Sequence, residues 1–138
     1  MRLFLQIRIW YPLSLLYVRF TQQVAIVTGA GQGIGYEICR QLVQQGATVI
    51  LNDLDESLAE KAAGKIQAEG GICVAIPGDS AAFVQYLVAT TVQRFGKLDI
   101  LVANAGITTF GSFFDYQPES LQALLDLNIR GTFFESAN

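Results

Sequence analysis

The chain contains no histidine. A Ser-His-Asp or Cys-His catalytic device is therefore excluded within these residues, since both need an imidazole as the base. Cysteine is almost as scarce. Cys39 and Cys73 are the only two, they lack CxxC spacing, and no ligand set for a structural zinc ion remains. One falls in a helical pattern and the other in a strand pattern, so both read as buried thiols of a reducing compartment, and a cytoplasmic location is expected. Charge is thin at 15% of residues, and cations are thinner still. Arg2, Arg8 and Arg19 lie in the first 21 residues, which hold no acid; the remainder carries six basic residues against twelve acidic ones, a net charge of −6. Lys61, Lys65, Lys97 and three arginines are scattered along that remainder, whereas a nucleic-acid surface needs clustered cations to replace counterions. Nucleic acid is not an expected partner. Long apolar runs are missing too. The longest uncharged stretch of the opening segment, Ile9–Val18, has ten residues, about half of the roughly 20 that a membrane span requires. Tyr17, Val18, Arg19 and Phe20 stand where a signal peptide would carry small residues before cleavage. Residues 1–21 are set apart as an extension, either non-structural or a targeting segment.

What is abundant is apolar side chains, at 51%, and glycine, with 13 residues placed mostly at punctuation points. From Gln23 onward the pattern is regular. Val24–Val27 is a short β-branched run, read as a buried strand. Ile34, Ile38, Leu42 and Val43 recur at helical spacing until Gly46. Ala47–Asn52 is a second strand. Asp55 can cap a helix whose inward stripe is Leu58, Ala62 and Ile66, ended by Gly70 and Gly71. Ile72–Ile76 is a third strand. Ser80 can cap a helix with Val84, Leu87, Val88, Thr91 and Phe95 inward, and Leu98–Ala103 is a fourth strand. Pro118 suits the first turn of a last helix beginning near Gln117 and continuing through Phe133 and Phe134. The order β-α-β-α-β-α-β-α predicts an α/β fold, a doubly wound parallel sheet of Rossmann type with about four strands, over residues 22–138. Continuously apolar strands agree, because a parallel sheet is covered on both faces.

The segment Thr28–Gly35 joins the first strand to the first helix, and Gly29, Gly33 and Gly35 fit GxxxGxG. A helix start offers unpaired N–H groups and partial positive charge. A diphosphate reaches them only where the backbone is bare, which favours glycine. Gly35, one turn in, would let the helix pack close to the sheet. The position between strand and helix is the context that gives the motif its meaning. Asp53 stands at the tip of the second strand, 18 residues after Gly35. A carboxylate there can accept hydrogen bonds from ribose hydroxyls and repels a 2′-phosphate. No cation follows until Lys61, so NAD is expected over NADP.

With Thr28–Gly35 and Asp53 in place, the chain resembles the short-chain dehydrogenases/reductases from about Gln23 onward. In detail it is similar to the group that includes 3-oxoacyl-acyl-carrier-protein reductases and glucose 1-dehydrogenases. The resemblance implies a cofactor site of Gly29, Gly31, Gln32, Gly33 and Ile34 in the turn, Asp53 and Leu54 after strand two, and Asp79 and Ser80 after strand three. Asn104, Ala105 and Gly106 complete it, in a motif where Ala103 replaces the usual first Asn. It also implies a role for Asn128 in organising a proton relay. The residues alone leave alternatives open: Asp79 can belong to a helix cap, Asn104 can satisfy loop backbone groups, and Asn128 can be a structural anchor.

In this family a tyrosine exchanges the proton, a lysine four residues later lowers its pKa, and a serine polarises the substrate oxygen. A phenol needs such a cation, because its ordinary pKa is about 10. Tyr11, Tyr17, Tyr36, Tyr86 and Tyr116 are followed at that spacing by Leu15, Thr21, Arg40, Thr90 and Ser120, so none fits. The resemblance places the three groups beyond Asn138. The expected activity is hydride transfer between NAD(P) and a small alcohol or carbonyl compound, with a homo-oligomer at full length. Thr108, Phe110 and Phe113 are candidates for one substrate wall. The alternative is a non-catalytic nucleotide-binding remnant. For the 138 residues alone, an unpaired edge at Leu101–Ala103 and an uncovered last helix are expected to limit stability.

Overall fold

The computed structural model describes residues 19–111 and 117–132. The expected α/β sheet is there. Four strands, β1 (Val24–Val27), β2 (Thr48–Leu51), β3 (Ile72–Ala75) and β4 (Ile100–Val102), lie in the order β3-β2-β1-β4 and pair in parallel throughout. Helices α1 (Gly33–Gln44), α2 (Glu56–Ala68), α3 (Ser80–Phe95) and α4 (Pro118–Leu125) alternate with them, and a π-helical segment, Asp126–Gly131, extends α4.

Side chains alternate across a strand, and here both faces are apolar. Ala25, Val27, Val49 and Leu51 face a layer formed by Cys39 and Val43 of α1 with Ala59, Ala62, Ala63 and Ile66 of α2. Val24, Ile26 and Ile50 face the other way, against Leu87 of α3, with Val88 and Phe95 at the margin. The three alanines of α2 keep that helix close to its neighbours. The order places β1 at the centre and sends β4 to its far side from β2, so the connections diverge between β1 and β4. In open α/β sheets, ligands bind at the strand ends beside such a divergence.

Local signals explain the element ends. The Asp55 carboxylate accepts from Leu58 N at 3.0 Å, the N-cap read from the sequence. Pro118 sits in the first turn of α4, after Gln117. Opposite the site, Asp99 ties β4 to β1. Its carboxylate accepts from Val24 N at 2.8 Å, and Lys97 Nζ lies 3.0 Å from it. These donors, the backbone amide first, hold the Asp99 carboxyl below its ordinary range. On α1, Glu37 receives Arg40 and Gln41, which lower its carboxyl to about 2.

Several expectations need correction. Ile34 shares the helical spacing of Ile38, Leu42 and Val43, yet it is 76% exposed and does not pack with them on the sheet. Ile38, Cys39, Leu42 and Val43 are the residues of that stripe that α1 packs on the sheet. The last helix does not keep one period, because α4 widens into the π-helical segment at Asp126. Its continuation through Phe133 and Phe134 lies outside the described residues, as do residues 1–18.

Candidate functional site

The loops after all four strands surround one hollow of about 340 Å³. Gly29 and Gln32 come from the turn after β1, and Asn52, Asp53 and Leu54 from the end of β2. Gly78, Asp79 and Ser80 follow β3, and residues 104–107 follow β4. Nine of the cofactor residues read from the sequence therefore meet on one wall set: Gly29, Gln32, Asp53, Leu54, Asp79, Ser80, Asn104, Ala105 and Gly106. Gly31, Gly33, Ile34 and Asn128 do not line it.

The turn is shaped by the polar residues around it. Thr28, fully buried, is its hub. Its hydroxyl accepts from Asn104 N and Ala105 N, both at 3.1 Å. Asn104 returns the connection, donating Nδ2 to the carbonyls of Thr28 and Gly29 at 3.0 Å each. Asn104 therefore holds the glycine turn while bordering the hollow. The turn also leans on β2: Ala30 N donates to Asn52 O at 2.8 Å, and Gly31 N donates to Asp53 Oδ2 at 2.8 Å.

Bare backbone matters along the whole turn. At Gly29 φ is +60°, and a Cβ would stand 2.7 Å from Ala105 Cα. At Gly33 φ is +62°, but a Cβ would meet nothing within 4 Å. Gly35 differs from expectation in its neighbour. A Cβ there would lie 2.6 Å from both Asn104 Nδ2 and Gly29 O, so its bareness accommodates the turn and Asn104.

Asn52 was not singled out by sequence reasoning. It is buried, and its Nδ2 donates to Ile76 O at 2.9 Å and Gly78 O at 3.0 Å, fixing the loop that carries Asp79. Its signal was a polar residue ending an apolar strand, which must find partners once buried. Asn128 behaves similarly from the π-helical segment. Its Oδ1 accepts from Ile107 N at 2.9 Å and its Nδ2 donates to Ile107 O at 2.8 Å. It holds the loop after β4 at Ile107. Phe110 is 93% exposed, Thr108 is exposed, and Phe113 lies outside the described residues.

The hollow carries two carboxylates, Asp53 and Asp79, and no Lys or Arg among its lining residues. Open glycine backbone at a helix start, with an acid on the adjacent strand tip, suits a dinucleotide. A family model described as short chain dehydrogenase matches residues 23–138. The chain belongs to the short-chain dehydrogenase family. Versicolorin reductase 1 of Aspergillus parasiticus is 42% identical over 120 residues, which are 84% of this chain and 45% of that protein. An uncharacterized oxidoreductase of Thermotoga maritima is 35% identical over 119 residues, 86% of this chain and 47% of its own. Among solved structures, a mutant short-chain dehydrogenase/reductase of Serratia marcescens aligns at a TM-score of 0.79 with 37% identity, covering 85% of this chain and 49% of that one. A short-chain type dehydrogenase/reductase of Mycobacterium marinum aligns at 0.82 with 26% identity, covering 89% and 51%. The chain thus spans about half the length of the curated relatives it matches. Its sheet is the corresponding part of the Rossmann-type dinucleotide-binding fold. No helix among the described residues is long and apolar enough to cross a membrane.

Proposed function

We propose that this chain supplies the dinucleotide-binding part of an NAD-dependent short-chain dehydrogenase acting on a small alcohol or carbonyl compound. The observation that carries the reading is the juxtaposition of Gly29 and Gln32 of the glycine turn with Asp53 on one hollow that has no Lys or Arg among its described lining residues. The residues present fit such a ligand, since the start of α1 at Gly33 has open space where a side chain would otherwise stand. When bound, a nicotinamide dinucleotide supplies a hydride donor or acceptor. The chain's own part is to bind and orient. The amides at the start of α1 take the phosphates, Asp53 accepts the ribose hydroxyls, and Asp79 and Ser80 flank the base. Asn104 keeps the turn in shape, and Asn128 sets the loop at Ile107.

A carboxylate at the sugar disfavours a 2′-phosphate both by repulsion and by occupying its place, which supports NAD over NADP. The motifs shared with 3-oxoacyl-acyl-carrier-protein reductases and glucose 1-dehydrogenases leave the substrate at the level of a small alcohol or carbonyl compound. Exposed Leu121, Leu125 and Ile129 give the α4 region an apolar face suited to a homo-oligomer at full length. The buried thiols suit a cytoplasmic setting. Calorimetric titration with NAD+ and NADP+ tests the reading. NAD+ is expected to bind more tightly, and Asp53→Ala to weaken NAD+ more than NADP+. Equal losses, or no heat from a folded sample with either coenzyme, would overturn it.

The second reading is a nucleotide-binding remnant without catalysis, in which the same hollow holds a nucleotide and no hydride is transferred. Turnover by this chain alone, with host enzymes excluded, would dismiss it.

A further inference from the structure

The Asp53 carboxylate is held before any ligand arrives. Oδ2 accepts from Gly31 N at 2.8 Å, and Oδ1 accepts from Asp55 N at 3.1 Å. The two donors come from different loops, and together they fix the plane of the carboxylate. An ionised carboxylate offers about four lone-pair sites, so two remain for a sugar. Gly31 does not line the hollow, and its backbone needs no glycine conformation: its φ is not among the positive ones. Its lack of a side chain has a different explanation. A Cβ there would stand 2.9 Å from Asp53 Oδ2, 3.0 Å from Asp53 Cγ and 2.9 Å from Leu58 Cβ. Two of those three atoms belong to the carboxyl group that reads the sugar.

We propose that Gly31 is a positioning residue for coenzyme selection: its amide aims the Asp53 carboxylate, and its missing side chain leaves that carboxylate room to stay aimed. This rests on the reading of Asp53 as the ribose acceptor. A methyl group at position 31 turns the carboxylate away and removes the charge-assisted bond, while the glycines that face the phosphates stay unchanged. The loss therefore falls on discrimination between the coenzymes rather than equally on both.

The experiment titrates the full chain with NAD+ and NADP+ in four forms: unaltered, Gly31→Ala, Asp53→Ala, and the double variant. The readout is the ratio of the two dissociation constants. Gly31→Ala is expected to lower the preference for NAD+ by about tenfold, the size of one charge-assisted hydrogen bond. In the double variant the ratio should equal that of Asp53→Ala alone, since Gly31 acts through Asp53. A Gly31→Ala chain that weakens both coenzymes equally, or a double variant whose losses multiply, overturns the proposal and leaves the Asp53 reading standing. An unaltered chain with no preference overturns that reading, and this proposal with it. Should Gly31→Ala fail to melt cooperatively, the double variant decides. Recovery of the melt places the obstacle at Asp53 and supports the proposal; a fold lost in both places it at Leu58 and overturns it.

Discussion

Gly29 and Gly33 share one backbone conformation and differ in what surrounds them, which makes them a matched pair. An L-residue in the left-handed region costs about 1–2 kcal/mol. Replacing glycine also returns about 0.4–1 kcal/mol by restricting the unfolded chain. Gly33→Ala has open space around the new methyl, so its net cost is about 0.5–1 kcal/mol. Gly29→Ala bears the same backbone cost, and its methyl is driven to 2.7 Å from the Ala105 backbone. Ala105 cannot yield freely, because its amide is bonded to Thr28. Overpacking of this kind adds about 1–3 kcal/mol. Urea unfolding followed by circular dichroism should therefore separate the two variants by about 1 M in midpoint, at an unchanged slope of about 1–3 kcal/mol per M. The order in coenzyme binding should be the reverse of the order in folding damage per bound molecule: the folded fraction of Gly33→Ala loses NAD+ heat, because the added methyl covers the start of α1. Equal midpoints, or a larger loss at Gly33, would refute the claim that the Ala105 contact distinguishes these glycines.

Cys39 and Cys73 are buried, and desolvation pushes the Cys73 thiol up to about 12 and raises that of Cys39 as well. Neither should react with a thiol reagent at pH 8 until the chain is unfolded, and rapid native labelling would contradict their burial. Asp99 and Glu37 have folded-state pKa values below their ordinary ones, so their stabilisation is complete at neutral pH; that of Glu37 is lost as pH falls from about 4.5 toward 2, and that of Asp99 as pH falls below the ordinary aspartate range. Melting temperatures taken across that window should fall less steeply in an Asp99→Asn, Glu37→Gln chain, and parallel curves would count against both pairings. Asn128→Ala removes both bonds to Ile107, for a cost of about 1–3 kcal/mol given the net worth of each. Amide exchange at Ile107 should accelerate, and unchanged protection there would show that the loop has another support.

The parts of the site that were legible in the sequence are those whose residue type has few other uses at a strand end. Glycines in a strand-to-helix turn, Asp53 on a strand tip and Asn104 after the fourth strand are of this kind, and the structure brings Gly29, Asp53 and Asn104 together on one hollow. Helix and strand identities followed from periodicity, with ends displaced by a residue or two because the strands are short. Thr28, though inside the motif, gave no hint that its hydroxyl would serve two amides 76 and 77 positions away. Asn52 resembled the end of a strand and little more. At Ile34 periodicity marked the helix without marking exposure, since a helical stripe does not report which of its residues the sheet covers. It failed at Asp126, because a change from α to π winding leaves the apolar spacing nearly intact over one turn.

The bonds around Thr28 also impose an order of events. The glycines leave the ribosome early, but the groups that shape them belong to residues 104 and 105. A nascent chain that has not yet reached β4 has the turn's sequence without its form, and closing a loop of that length is slow compared with local helix formation. Helices α1 and α2 can thus settle on β1 and β2 while the coenzyme's seat is still unmade. Newly made protein should therefore gain its affinity for the coenzyme later than its helical content.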